Sequence, residues 1–397
     1  MNRNKLASNL LLFYVYKLLS SFILDRAIWM LFLLSKGFSL AEIALIESAY
    51  HLTIFLFEVP TGYVADRYGK RISLLCAELL GIVSSCMLLW GDHAALLVIG
   101  FMLGGLVGTF QSGAGSAMIY ETLKLLGREA EYKRYNSHLS AVMLVTLGIG
   151  GIAGGALSDI DWAWVYVGKA ALSLLTFGVV LILTEPRVSD HADGKSEEKY
   201  SFVNQLKYGY EFGKTNTAFL ALCVYGAILY SMSWSIGFYS QVVFQNTGLN
   251  NKTIGLLNGT ETWISAAIAA VAFAGERWLG KRGSLWVAGV GFIVFLVWFS
   301  GSTNAGGVIV SFFMMAIVIS YLEPLLEAYM NELLPSSIRA TMLSVFSMLI
   351  SAGMMITFSA IGFLADLVGL SNALKYVLAV WVPLCIAAIV WASVNNR

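Results

Sequence analysis

Ionisable side chains interrupt segments that are otherwise almost wholly apolar, and they are the residues best suited to chemistry. A charged group at the centre of a bilayer costs at least about 2.5–3.5 kcal/mol, so each one needs a partner, a water-filled cavity or a function. Such a group can bind a charged substrate or can exchange a proton. The candidates are Lys17, Asp25, Arg26, His51, Glu58, Lys169, Glu323 and Glu327.

The first apolar segment contains three of these candidates. Lys17 and Asp25 are eight residues apart and share one face of a helix, whereas Arg26 is rotated by about 100° from Asp25. Two interpretations stay open: the three side chains line a central cavity and contact substrate or protons, or they form buried ion pairs with other helices. Asp25 is the preferred functional residue, and Lys169 of the sixth segment is a candidate partner for it.

The second and tenth segments contain further acids and a histidine. His51 and Glu58 lie near one face and suit proton coupling, but a hydrogen-bonded packing role explains His51 equally well. Glu323 and Glu327 are one turn apart, and paired carboxylates resist simultaneous ionisation, so one of them can hold a proton. Glu323 is the better cavity candidate, since Glu327 has the alternative of pairing with Arg339 or another loop cation.

The seventh segment is rich in aromatic residues. Tyr225, Tyr230 and Trp234 follow at spacings of five and four residues and are candidates for an aromatic wall of the substrate cavity. Aromatic faces attract cations and adapt to bulky ligands. This pattern favours an amphipathic or cationic substrate.

The helices that must position these side chains follow from composition. The 397 residues are 58% hydrophobic and only 12% charged, whereas soluble domains have about 25% charged residues. Each apolar segment reaches or approaches the roughly 20 residues that cross a bilayer as a helix, so we predict an all-α membrane protein of twelve transmembrane helices. The segments are 8–34, 40–63, 72–91, 94–121, 138–158, 162–184, 216–245, 252–275, 284–301, 305–333, 340–364 and 373–394.

A polar stretch at 185–214 divides these helices into two groups of six. It predicts a cytoplasmic linker between an N-terminal bundle, 1–184, and a C-terminal bundle, 215–397. Of 25 lysines and arginines, three lie within apolar segments and only three in the loops that would be outside, Lys36, Lys252 and Lys375. The remaining 19 lie on the opposite side, which predicts that both termini are cytoplasmic.

A short cationic loop follows the second segment. Gly62, Asp66, Arg67, Gly69, Lys70 and Arg71 form the pattern G-x-x-x-D-R-x-G-[RK]-[RK]. The pattern resembles the signature loop of major facilitator superfamily transporters, including bacterial drug-efflux members. Glu276-Arg277-Trp278-Leu279-Gly280-Lys281-Arg282 repeats it in the second half, and Gly154 to Asp159 is echoed by Gly362 to Asp366.

The resemblance implies a six-plus-six duplication with substrate bound near the bilayer midplane between the halves, which rock around it. It also implies that Asp66 meets the cytoplasmic side of the eleventh helix and the loop cations, so that the signature loop is a conformational latch. The chain departs from the antiporter pattern twice. Thr109 stands where antiporters have an arginine, and Gly150 to Gly155 has glycine where they have proline.

The expected function is therefore secondary active transport, with proton-coupled export of amphipathic drug-like compounds preferred. The alternatives are transport of one specific metabolite or lipid, and a non-transporting membrane sensor with the same fold. The expected partners are a small-molecule substrate, protons and the lipid bilayer of a bacterial cytoplasmic membrane. The protein is expected to be a monomer. A net charge of +1 gives no support for nucleic-acid binding, and we expect no metal, no cofactor and no enzymatic activity.

Nucleotide-driven transport is not expected either. Two stretches, 194–196 and 213–215, end like a phosphate-binding P-loop, but Ser189 and Tyr208 stand where its first glycine is required.

Overall fold

The structure is a computed structural model that describes residues 3–91, 93–186, 211–335 and 339–396. Within these ranges the regular structure is helical, which confirms the predicted all-α class, and ten helices are long and apolar enough to span a membrane. Residues 187–210 of the predicted linker lie outside these ranges. The helices are α1 (Arg3–Ser20), α2 (Trp29–Ser35), α3 (Leu40–Tyr68), α4 (Lys70–Trp90), α5 (Ala94–Leu126), α6 (Tyr132–Ser158), α7 (Trp162–Ile182), α8 (Thr217–Asn246), α9 (Asn251–Gly301), α10 (Ala305–Leu333), α11 (Arg339–Val368) and α12 (Leu370–Asn395).

The helices depart from the prediction of one helix per apolar segment at two places. The first segment is broken, because 21–28 are not helical and separate α1 from α2. Conversely, the eighth and ninth segments are joined in α9, which is kinked at Gly280, where φ is 66° and ψ is 171°. A left-handed φ of this kind favours glycine, and it falls within the second-half copy of the signature loop.

The chain forms two compact units. Unit 1 comprises 3–32, 45–186 and 250–262 of the described residues, and unit 2 comprises the rest of them, including 33–44. The first turns of α9 therefore belong with helices of the first half of the sequence, and the first turns of α3 belong with helices of the second half.

Unit 1 is built on close contacts of α4 with α5 and α7, while α1 packs against α5, α6 and α7. Hydroxyl groups connect the helices through backbone carbonyls: Ser73 Oγ donates to the Phe110 carbonyl at 2.8 Å and Ser84 Oγ to the Gly100 carbonyl at 2.7 Å. Small residues that approach a neighbouring backbone in this way are typical of membrane helix interfaces.

Unit 2 packs α8 against α10, α11 and α12. Polar side chains again close the interfaces: Tyr239 Oη donates to the Phe358 carbonyl at 2.9 Å, and Trp381 Nε1 donates to the Ile228 carbonyl at 3.1 Å. Many large apolar side chains are exposed on both units, among them Leu11, Trp90 and Val380. In water such a surface would be a liability, whereas in a bilayer it is the lipid-facing side.

The glycines of α6 alternate between two packing faces. A Cβ on Gly154 would lie 1.7 Å from the Leu24 carbonyl oxygen, and Gly150 faces the same broken segment between α1 and α2. Gly155 instead lies against the first turns of α9, and Gly151 lies between Ala27 of the broken segment and those same turns. These glycines therefore allow close helix packing, which brings 21–28 into the interior of unit 1.

Candidate functional site

The break between α1 and α2 places Asp25 where the chain has left the helix. Non-helical backbone is tolerated at membrane depth only where protein or a water-filled cavity surrounds it, and such breaks mark binding sites in transporters. Here α6 covers the break through Gly154, and α7 approaches it through Gly168, where a Cβ would lie 2.7 Å from Leu24 Cδ1. The sequence did not predict this break, because no proline or glycine occurs between 21 and 28.

Asp25 forms an ion pair with Lys169 of α7. The Lys169 Nζ lies 2.5 Å from Asp25 Oδ2, and only 9% of the Asp25 side chain and 26% of the Lys169 side chain are exposed. A short, charge-assisted contact of this kind compensates two charges that would otherwise be costly to bury. The predicted pairing is thus present, and whether it serves transport stays a prediction.

Tyr166 lies one turn before Lys169 on α7 and within electrostatic range of Asp25. Its hydroxyl is fully buried and makes no hydrogen bond to any residue that the structure describes. A buried hydroxyl without a partner is unusual and costs free energy. Tyr166 is therefore an unsatisfied buried donor in the surroundings of Asp25, and sequence analysis did not single it out.

The two other cations of this region differ in their surroundings. The Arg26 side chain is exposed, and Glu261, which belongs to the same unit, is an acid within its electrostatic range. The Lys17 side chain is half-buried and makes no hydrogen bond or ion pair within the described ranges. A half-buried ammonium group without an acid is a natural binding point for an anion.

The two candidates on α3, His51 and Glu58, each lie beside another polar side chain. His51 Nε2 lies 3.3 Å from Glu47 Oε1, one turn away, without the alignment of a hydrogen bond. Glu58 is exposed, and its Oε1 accepts a hydrogen bond from Ser112 Oγ of α5 at 2.8 Å. Neither residue belongs to the Asp25–Lys169 pair, so a role for either in proton coupling stays a separate prediction.

Unit 2 presents the two acids of α10. Glu323 and Glu327 are exposed on the same face, and both lie within electrostatic range of the buried Tyr230 hydroxyl, which has no hydrogen-bond partner among the described residues. Arg339 does not pair with Glu327 but donates to the Asn331 and Leu334 carbonyls. The alternative that paired Glu327 with Arg339 is therefore wrong.

The three aromatic candidates of α8 have unequal access. Tyr225 is fully buried, and its hydroxyl donates to the Leu285 carbonyl at 2.9 Å. Tyr230 is also buried, whereas 54% of Trp234 is exposed. Of the predicted aromatic wall, Trp234 is thus the member free to contact a ligand without a rearrangement of unit 2.

The signature loop is held in place by Glu185, a residue that sequence analysis did not select. Gly69 has a φ of 107°, which ends α3 and allows α4 to begin at Lys70. The Glu185 carboxylate, just beyond α7, accepts hydrogen bonds from the Lys70 and Arg71 backbone N–H groups at 2.8 and 2.7 Å. Arg71 also donates from its guanidinium to the Val180 and Leu181 carbonyls, so the loop is fixed to the end of α7.

The remaining residues of the signature loop are partly accounted for. Lys70 Nζ pairs with Glu121 Oε1 at 2.7 Å, and Lys281 pairs with Glu332 in the second half, again 51 positions apart. Arg67 contacts the rings of Tyr63 and Tyr68. Asp66 is exposed near the end of α3, one turn after Gly62, and its role as a latch stays a prediction.

Replacing Glu185 by alanine should destabilise the protein by about 0.5–2 kcal/mol, because two N–H groups at the start of α4 lose a charged acceptor. Thermal unfolding of the purified protein in detergent measures the change. Glu332→Ala is the matched control, since its ion pair is exposed and should contribute well under about 1 kcal/mol. Equal unfolding temperatures for the two variants would contradict the capping role of Glu185.

Comparison with known proteins places this arrangement in a family. The family model "Major Facilitator Superfamily" matches residues 10–259. The "Uncharacterized MFS-type transporter YxaM" of Bacillus subtilis (strain 168) is 23% identical over 371 residues, which are 91% of this chain and 90% of the relative. A protein of Agrobacterium vitis named "Putative tartrate transporter" is 22% identical over 362 residues, 84% of this chain and 77% of its own length.

Among solved structures, the crystal structure of the nucleoside transporter NupG is similar in fold. The TM-score is 0.77 at 13% sequence identity, and the alignment covers 98% of this chain and 99% of that one. At this identity the likeness concerns the fold alone.

Proposed function

Because the chain belongs to the Major Facilitator Superfamily, a family of membrane transporters, we propose that it is a proton-coupled secondary active transporter in which Asp25 carries the proton. The observation on which the proposal rests is the buried ion pair between Asp25 and Lys169. Substrate movement would be driven by a proton gradient, with no nucleotide consumed.

The pair suits proton coupling because separating the two charged groups costs free energy, which protonation of Asp25 can reduce. While the two groups are in contact, their charges compensate each other; separated in an apolar environment, each would be an uncompensated charge worth several kcal/mol. A proton taken up by Asp25 removes one of these charges, and the Tyr166 hydroxyl can then share a hydrogen bond with the carboxyl group. A motion that changes the separation of Asp25 and Lys169 would thereby load and unload a proton.

The proposed topology has twelve membrane crossings. It counts α1 and α2 as one broken crossing and α9 as two crossings separated at Gly280. Both termini are cytoplasmic in this topology, and the protein resides in a bacterial cytoplasmic membrane as a monomer. The excess of cations in the loops of one side supports the orientation.

For the substrate class we propose a small polar metabolite that bears a negative charge. Lys17 supports this choice, since it is half-buried, lies on the helix that leads to the break, and makes no ion pair within the described ranges. Arg26 adds an exposed cation nearby in the sequence. A relative named for tartrate transport agrees with such a substrate.

A second candidate is export of amphipathic or cationic drug-like compounds. The exposed Trp234 on α8 and the exposed pair Glu323 and Glu327 on α10 favour it, because an aromatic face and carboxylates both attract cations. Transport of a lipid and a non-transporting sensor are the remaining alternatives.

Transport assays in proteoliposomes with an imposed pH gradient separate the candidates. We expect gradient-dependent movement of hydroxy dicarboxylates such as tartrate and none of lipophilic cations. Lys17→Gln should raise the KM by roughly 10–100-fold, the equivalent of one charged hydrogen bond, whereas Lys17→Arg should stay close to the wild type.

If only lipophilic cations move, and Lys17→Gln does not affect their movement, export of drug-like compounds becomes the better hypothesis. If neither class moves under any gradient, the sensor becomes the better hypothesis.

A further inference from the structure

Two helices of the structure begin against a carboxylate from a distant part of the chain. In unit 1, Asp159 at the end of α6 accepts hydrogen bonds from the backbone N–H groups of Asn251 and Lys252 at 3.0 and 3.1 Å. In unit 2, Asp366 in the last turn of α11 accepts two from Leu40 and Ala41, both at 3.1 Å. Each carboxylate spans the first two N–H groups of a helix, where the helix dipole favours an anion.

A glycine one turn before each aspartate lets the backbones meet. A Cβ on Gly155 would lie 2.4 Å from the Asn251 carbonyl oxygen, and a Cβ on Gly362 would lie 2.6 Å from the Leu40 carbonyl oxygen. The same G-x-x-x-D sequence therefore makes the same contact twice. We call the contact of Gly155 and Asp159 with the start of α9 the first clasp. The contact of Gly362 and Asp366 with the start of α3 is the second clasp.

Both helix starts also have a cap of their own. Ser39 Oγ accepts from the Glu42 N–H, and Glu42 Oε2 accepts in return from the Ser39 N–H. At the other helix, Asn250 Oδ1 accepts from the Thr253 N–H at 3.1 Å. These local caps define where α3 and α9 begin without help from the clasps. A clasp can therefore release without unwinding the helix, because water can replace the carboxylate at the two exposed N–H groups.

The clasps occupy related positions in the predicted topology. In that topology, the helix ends at Asp159 and Asp366 and the helix starts at Leu40 and Asn251 all lie on the side opposite the cation-rich loops. Each clasp joins a helix end from one half of the sequence to a helix start from the other half.

We propose that the two clasps are a paired lock on the outer side of the transporter. Both are closed when the substrate path is shut toward the outside, and both release before substrate exchanges with the outside. Because the clasps share no residue, their contributions to the closed state multiply.

Thiol labelling from outside intact cells tests the lock. Ser21→Cys provides an almost isosteric reporter, since Ser21 is buried in the break that α6 covers. It is placed in a chain whose Cys76, Cys86, Cys223 and Cys385 are replaced by alanine, and a membrane-impermeant maleimide is applied. We expect Asp159→Asn or Asp366→Asn to speed labelling by about tenfold, and the double variant by up to about 100-fold, as for two independent charged hydrogen-bonded contacts.

Asp161→Asn is the matched control. Asp161 lies in the same loop as Asp159 but caps its own helix through the Ala163 N–H, so its variant should be labelled at the wild-type rate. Gly362→Ala keeps the carboxylate and blocks its approach, so it should speed labelling as Asp366→Asn does.

Hydrogen exchange of the amides at 40–41 and 251–252 verifies that the clasps have released in purified variants that elute as folded protein. The proposal is overturned if those amides lose protection while labelling stays within twofold of the wild type. It is equally overturned if the aspartate variants leave the amides protected.

Discussion

Asp25→Asn is expected to abolish accumulation driven by a proton gradient, down to the level of empty vesicles, while exchange of substrate down its own gradient persists. Asparagine has the shape of a protonated aspartic acid but cannot release the proton. If Asp25 is the carrier, the cycle stays possible in its protonated form and only the coupling is lost. Transport in proteoliposomes with and without an imposed pH gradient measures both quantities.

A double variant that removes both charges of the Asp25–Lys169 pair distinguishes loss of proton coupling from loss of stability. Asp25→Asn alone leaves Lys169 as an uncompensated buried cation, at a cost of about 3–5 kcal/mol. The double variant Asp25→Asn with Lys169→Gln removes both charges and should recover most of that stability without recovering coupling. If the double variant regains gradient-driven transport, the pair is structural, and Glu58 or Glu323 becomes the better candidate for the carrier.

Gly154→Ala should be the most damaging glycine-to-alanine substitution in unit 1. The new Cβ would lie 1.7 Å from the Leu24 carbonyl oxygen, which is backbone and cannot rotate away. Overpacking typically costs about 1–3 kcal/mol and occasionally more, and here it would also displace the break that positions Asp25. We expect a folded yield at least several-fold lower and loss of transport in the protein that remains.

Gly108→Ala on α5 is the control for this prediction. A Cβ there would meet no atom within 4 Å, and alanine is the better helix former. The variant should therefore be at least as stable as the wild type. Similar unfolding temperatures for Gly154→Ala and Gly108→Ala would show that α6 does not press against the break.

Much of the fold could be predicted from the sequence because the bilayer imposes a simple rule. An apolar segment of about 20 residues must satisfy its own backbone and so becomes a helix. The break at 21–28 could not be predicted, since its cause lies in α6 and α7. Glycines on other helices make room for a non-helical backbone that no residue of the segment itself indicates.

The candidate site shows the same division. Asp25 and Lys169 could be selected because a charge in an apolar segment is costly and requires an explanation. Glu185 was missed because it stands in an ordinary polar stretch, and its importance depends on the unrelated N–H groups of Lys70 and Arg71. Tyr166 was missed because a tyrosine among apolar residues attracts no notice until its hydroxyl is found buried with no partner among the described residues.

Proton release on substrate addition is the most direct measurement of the central claim. Purified protein in weakly buffered detergent solution is mixed with substrate, and a pH indicator counts the protons released. We expect release from the wild type and from Glu58→Gln, and none from Asp25→Asn at equal substrate occupancy. Equal release from Asp25→Asn and the wild type would contradict Asp25 as the carrier, and no release from the wild type, with transport indifferent to the pH gradient, would contradict proton coupling itself.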